Sequence, residues 1–272
     1  MRAIEIHRHF LSRARWVDTE NTIDRIWYGD PQKTVRVVGA GWSACTMNLT
    51  AAADDGCDLF ISHEHPFAWP WGVEKAQETE WARRRIQIAD ESGMILMNLH
   101  DTWDHWPGYG IRESWAAYLG LGPADKVLDY IHPGSESVST GGSSLGIYRV
   151  QPSPVRVHVQ RFADRIRELG YTGAVFTGDS STIIESVAIG VGCHIPTFEA
   201  HAAGAGLLVV VYDRAGQLTT RMPLAEVGAN VLVVEHSVAE TPAMRRLCDY
   251  IEDTFPEVTS RFYNEEPKPE LF

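Results

Sequence analysis

The chain has 272 residues, 44% of them hydrophobic and 22% charged, which is enough apolar material for one large core or two smaller ones. A net charge of -12 argues against recognition of nucleic-acid phosphates, which needs stripes of Lys and Arg, and against an anionic membrane surface. No apolar stretch is long enough to span a membrane, and Met1-Arg2-Ala3-Ile4-Glu5-Ile6 is not a signal peptide, so a cytoplasmic protein is expected. In chain order, Gly29-Asp30 marks a turn, residues 35–38 a strand and Gly39-Ala40-Gly41 a break. A helix closed by Gly56 and a strand over 58–62 follow, and that strand runs into His63-Glu64-His65-Pro66. A second helix, closed by Gly93, leads to an apolar strand ending before His100 and Asp104. The Ser/Gly-rich stretch 133–146 reads as a linker, and Gly170 closes the helix beyond it. Gly178-Asp179 then opens a turn, followed by a strand over 183–189, Gly190-Val191-Gly192, a helix over 197–203, Gly204 and a strand over 207–211. Gly228 closes another helix, and a last apolar run leads to His236 and Glu240. In the final helix Pro242 suits the first turn, and Met244, Leu247, Cys248, Ile251 and Phe255 share one face. The tail from Asn264 is polar and expected to be loose.

The order of elements repeats. Gly29 and Gly178 stand 149 positions apart, as do Gly41 and Gly190, while His100 and His236 stand 136 apart, as do Asp104 and Glu240. Shorter loops in the second half account for the drift. Nearly all-apolar strands alternating with helices imply sheets covered on both faces. The expected fold is α/β: two intertwined α/β repeats with mixed sheets, over 1–132 and 147–272, joined by the linker 133–146. Ligand sites in such sheets lie beyond the carboxyl ends of strands, so one site in the cleft between the repeats is expected.

Imidazoles and carboxylates together bind borderline divalent ions such as Zn, Mn and Fe. Three clusters at strand ends carry them: His63-Glu64-His65, His100 with Asp104, and His236 with Glu240. The bland explanation of the last two is helix N-terminal capping, but the same spacing at matching repeat positions favours metal. Consecutive residues point to opposite sides of a strand, so ligands from 63–65 require the chain to leave strand geometry there, as Pro66 allows. His7, His9, His132, His158, His194 and His201 have no partner at ligand spacing and read as ordinary surface or core histidines. Cys45, Cys57, Cys193 and Cys248 lack Cys-x-x-Cys spacing and read as buried free thiols. Trp69, Trp71, Trp103 and Trp106 follow the clusters closely; packing is the commoner role, a wall for a planar ligand the rarer one. Neither Gly-x-Gly pair completes a phosphate loop, and no Gly-x-Ser-x-Gly elbow is present.

Taken together these residues resemble the Nif-three-like family, also described as GTP cyclohydrolase 1 type 2 homologues. The resemblance covers most of the chain. It is carried by Tyr28-Gly29-Asp30-Pro31, the strand into Ser62-His63-Glu64, His100 through Asp104 with Pro107-Gly108, the stretch 146–169, and His236 through Met244. It implies two divalent ions per protomer, held by His63, Glu64, His100, Asp104, His236 and Glu240, with Glu240 bridging, and a toroidal homohexamer. Most members carry His-His-Pro where this chain has His63-Glu64-His65-Pro66, so either Glu64 or His65 is the second ligand. The second repeat has Tyr212-Asp213-Arg214 where the family has a His-rich turn. The activity this implies is metal-assisted hydrolysis of a nucleotide-like, cyclic amidine or phosphoester small molecule. In it Glu64 or His65, whichever is not a ligand, serves as the proton shuttle. The alternative is a non-catalytic metal-binding, metal-delivery or regulatory scaffold.

Overall fold

The structure is a computed structural model that describes residues 1–67, 78–131, 142–190, 192, 195–213 and 217–268. Its contacts divide the chain into two compact units, 1–109 with 243–267, and 110–242 with 268–272. The sequence placed the boundary at 133–146 instead. Residues 132–141 lie outside the described residues, and 142–146 belong to a strand rather than a linker.

The first unit holds a five-stranded sheet. Its strands are β1 (Ile26–Tyr28), β2 (Val37–Gly41), β3 (Leu59–Ser62), β4 (Ile95–Asn98) and β11 (Thr259–Tyr263), in the order β1-β4-β3-β2-β11. Only the β1–β4 pairing is antiparallel. Every residue of β3 and of β4 is buried, the mark of strands covered on both faces. On one face α2 (Thr46–Asp54) and α3 (Glu80–Ser92) contribute Leu49, Ala52, Ala82 and Ala89 to a core with Phe60, Leu96 and Tyr263. The helix α1 (Ala3–Arg13) buries Ala3, Ile6 and Phe10, at helical spacing.

The second unit holds a six-stranded sheet. Its strands are β5 (Lys126–Ile131), β6 (Gly142–Pro154), β7 (Val175–Thr177), β8 (Ile183–Gly190), β9 (Leu207–Val211) and β10 (Val231–Val234), in the order β5-β6-β8-β9-β10-β7. The strands β8, β9 and β10 run parallel, while β5–β6, β6–β8 and β7–β10 pair antiparallel. Alternate residues separate its two cores: Leu207, Val209 and Val211 face one, Leu208 and Val210 the other. The helices α5 (Ile111–Tyr118) and α6 (Val155–Glu168) pack on the first of these through Trp115, Phe162 and Ile166. On the other, α7 (Thr197–Ala202) and α8 (Leu218–Glu226) supply Ala200 and Leu224.

The duplication is visible in the topology. In one unit the order is β1-β4-β3-β2, with β1 antiparallel at the edge; in the other it is β7-β10-β9-β8, with β7 antiparallel at the edge. The five glycines expected to close helices, Gly56, Gly93, Gly170, Gly204 and Gly228, all have positive φ. Three expectations need correction. Gly39, Ala40 and Gly41 belong to β2, paired with β3 and β11, and do not break it. Helix α9 (His236–Thr254) starts six residues before Pro242, so Pro242 lies inside the helix and not in its first turn. Pro242 is also where the chain passes from the second unit to the first. The tail is not loose at its start. The Glu265 N–H donates to Asn48 Oδ1 (2.7 Å), and buried Glu266 accepts from Asn48 Nδ2 (2.9 Å). The predicted apolar face of α9 is buried throughout.

Candidate metal centre

In the first unit the chain leaves β3 at Ser62. The N–H groups of His63 and Glu64 donate back to the Trp42 carbonyl, at 3.1 and 2.9 Å, and Ser62 Oγ donates to the Glu64 carbonyl. Asn98, last in β4, donates through Nδ2 to the carbonyls of Ser62 and His63 and so locks the two strand ends together. His100 stands two residues beyond β4, before the short helix α4 (Asp101–Asp104). The rings of His63 and His100 stack at 4.5 Å between centroids, 17° from parallel. Ligand atoms of His63, His100 and Asp104 all lie within 4.8 Å of one another. His63 is fully buried; its Nδ1 meets the Leu99 carbonyl at 3.1 Å and its Nε2 faces Asp104 at 3.5 Å. A tautomer with the proton on Nδ1 leaves Nε2 as a lone-pair donor towards that carboxylate, as metal coordination requires.

Burial works against a charge on His100. The carboxylates of Asp104, Asp101 and Glu64 outweigh it and hold its pKa well above the usual imidazole value. Asp101 is the neighbour that touches the ring, at 3.1 Å from Nδ1, and its other oxygen accepts from Thr22 Oγ1 (2.7 Å). Behind it Asp24, in the segment before β1, is fully buried. It accepts the N–H groups of His100 (2.5 Å), Asp101 (3.1 Å) and Thr102 (2.6 Å), and the Thr102 hydroxyl. Burial and the Asp101 charge raise its pKa to about 6 against the pull of those hydrogen bonds.

In the second unit His236 likewise stands two residues beyond its strand, β10, and opens α9. Its Nε2 lies 2.8 Å from Glu240 Oε1, one helical turn on, and Glu240 is buried. His236 Nδ1 stands 3.8 Å from Asp213. Tyr171 and Ser237 share a 2.7 Å hydrogen bond beside it, and Val238 and Ala239 anchor this turn in the core.

Of the residues foreseen from the sequence, His63 stands with His100 and Asp104, and His236 with Glu240, and the chain leaves strand geometry after Ser62. His65 goes elsewhere. Its Nδ1 accepts the Phe67 N–H (2.9 Å), its ring lies 4.0 Å from that of Trp27, and burial lowers its pKa to about 4. Trp103 and Trp106 are buried among Phe10 and Tyr250, and Trp103 Nε1 donates to the Ala243 carbonyl; they pack rather than form an open wall. Trp69 and Trp71, with His132, His194 and Cys193, lie outside the described residues. Cys45, Cys57 and Cys248 are free thiols, the last two buried. Sequence reasoning passed over Thr22, Asp24, Asp101 and Asp213. Asp213 was within reach, because aligning the ends of β3 and β9 sets it opposite Glu64.

The fold has known relatives. It superposes on the Staphylococcus aureus protein SA1388 with a TM-score of 0.75 at 14% identity, over 100% of this chain and 99% of that one. A Bacillus cereus protein related to NIF3 gives 0.74 at 13%, over 100% and 99%. TTHA1606 from Thermus thermophilus gives 0.69 at 19%, over 98% and 99%. None of the curated proteins matches the chain. The family model described as Duf34/NIF3 (NGG1p interacting factor 3) matches residues 25–269.

Proposed function

Because the chain belongs to the Duf34/NIF3 family, we propose that it holds two divalent metal ions per protomer and acts as a metal-dependent hydrolase. The observation that carries this reading is the convergence of His63, His100 and Asp104, two imidazoles and a carboxylate around a point one ion can fill. These three hold one ion in the proposal, with Glu64 as a further ligand, and His236 with Glu240 supply ligands for the other. Glu64 is preferred to His65 because His65 already accepts a backbone N–H and lies against Trp27. The mixed imidazole and carboxylate donors suit Zn, Mn or Fe. When bound, such a pair of ions supplies Lewis acidity towards a carbonyl, imine or phosphoryl group and makes water a nucleophile at neutral pH. The protein's own part is positional. The Leu99 carbonyl holds Nδ1 of His63, Asp101 holds Nδ1 of His100, and burial of His63 and Glu240 keeps bulk water from their donor atoms.

The substrate class proposed is a nucleotide-like, cyclic amidine or phosphoester small molecule. The working form proposed is a cytoplasmic homohexamer. The rival, a non-catalytic metal scaffold, gains weight if 63–65 all bind metal, because no open coordination position then remains. The separate engagement of His65 favours the enzyme. A phosphodiesterase screen with Zn, Mn and Fe tests it. Turnover that Glu240→Ala abolishes is expected; equal turnover by that variant contradicts the mechanism.

A further inference from the structure

Beside the proposed metal ligands, a buried polar network lies directly behind His100. Asp24 is fully buried, yet no Lys or Arg hydrogen-bonds or ion-pairs with it among the described residues. Its carboxylate is taken up instead by three successive backbone N–H groups, those of His100, Asp101 and Thr102, and by the Thr102 hydroxyl. Thr22 closes the arrangement from the same segment. Its Oγ1 accepts the Asp24 N–H (3.0 Å) and donates to Asp101 Oδ2 (2.7 Å), while Asp101 Oδ1 meets Nδ1 of His100 (3.1 Å). Both the backbone and the ring of His100 are thus fixed from one loop, 76 residues earlier in the chain.

We infer that Asp24, acting with Thr22 and Asp101, is the positioning group of the metal centre and sets its affinity for the ion at His63, His100 and Asp104. The inference rests on the metal-centre reading above. A four-residue helix such as α4 cannot hold its own geometry, since one turn fixes many torsions for little hydrogen bonding. The orientation of His100 and Asp104 therefore has to come from outside α4, and Asp24 is the group that reaches the amides of His100, Asp101 and Thr102. Outer groups that orient a metal-binding imidazole, here Asp101 at Nδ1 of His100 and Asp24 at its backbone N–H, commonly change metal affinity 10- to 100-fold when removed. A buried carboxylate that merely satisfied the amides would affect folding and leave affinity untouched.

The test is titration of metal-stripped, full-length protein with Co²⁺, read by its visible absorption, for wild type, Asp24→Asn, Thr22→Val and Thr22→Ser. Asp24→Asn and Thr22→Val should weaken the tightest Co²⁺ binding roughly 10- to 100-fold, and Thr22→Ser, which keeps the hydroxyl, should restore it. If Asp24→Asn fails to fold, Thr22→Val against Thr22→Ser decides. Folded variants that bind Co²⁺ as tightly as wild type overturn the inference and leave the metal reading intact. A wild-type protein that binds no Co²⁺ overturns both.

Discussion

Glu64 and His65 are neighbours in sequence with opposite surroundings. Glu64 lies close enough to His100 to raise its pKa, while His65 is buried against Trp27 with Nδ1 committed to the Phe67 N–H. Hydrophobic pattern could not separate them, because the difference arises from how the chain turns after Ser62. The account predicts that Glu64→Gln lowers metal content per chain and that His65→Gln leaves it at the wild-type value, as elemental analysis would show; the reverse pattern would transfer the ligand role to His65. A second residue-scale prediction concerns His9. Its ring sits among Phe255, Tyr250 and Trp106, and burial, helped by Arg13, lowers its pKa to about 4. The folded value lies below the ordinary 6.5, so the unfolded chain binds the proton more readily. This contribution to stability is complete above pH 6.5 and is lost as pH falls towards 4. Urea midpoints should fall over that window, and His9→Gln should reduce the slope, keeping the part due to His7, His65 and His158, which burial also depresses. An unchanged slope would remove His9 from the explanation.

At the scale of elements, the repeat was legible because it is written in features that local physics enforces. The Gly-Asp turns illustrate this. Gly29 and Gly178 both have positive φ, at 90° and 137°. A Cβ on Gly29 would lie 3.1 Å from the Ile95 backbone at the start of β4, and one on Gly178 would meet the Asn230 side chain and lie 2.9 Å from its backbone just before β10. Each turn therefore passes close to the beginning of the equivalent strand, tightly at Gly29 and too closely for a Cβ at Gly178, and with a positive φ that favours glycine at both. Gly178→Ala should cost about 2 kcal/mol or more, from backbone strain and overpacking together. Gly204→Ala, at positive φ with open space around it, should cost about 1 kcal/mol. Comparable denaturation midpoints for the two variants would refute the close approach at Gly178. Strands β6 and β11 were not foreseen. The 13 residues of β6 include Gly, Ser and Pro and lack clean alternation, and in β11 exposed and half-buried residues alternate, with only Tyr263 buried. Both are strands because other strands pair with them, the preceding β5 and the later β8 in one case and β2, far along the chain, in the other. Pro242 misled because Pro is common in a first turn, whereas here the helix continues through it.

At the scale of the whole molecule, the sequence marked the candidate ligands but not the buried groups around them. His100 with Asp104 and His236 with Glu240 were visible as a repeated spacing after strands, and His63 as part of a separate cluster at a strand end. Thr22 and Asp24 were not, because a buried carboxylate that grips backbone N–H groups leaves no motif in the residues it grips. The Nif-three-like resemblance agrees with family membership over residues 25–269. The homohexamer proposed with it predicts a mass of six chains by light scattering at neutral pH, and a monomer would contradict it.

The central claim is that the strand-end clusters of the two repeats hold a pair of metal ions. Elemental analysis of protein purified without chelator tests it most directly, on wild type and on His236→Ala. The account predicts about two divalent ions per chain in wild type and a reduced content in the variant. No stoichiometric metal in wild type, even after addition of Zn, Mn or Fe, would contradict it and leave the His and carboxylate groups with a structural role alone.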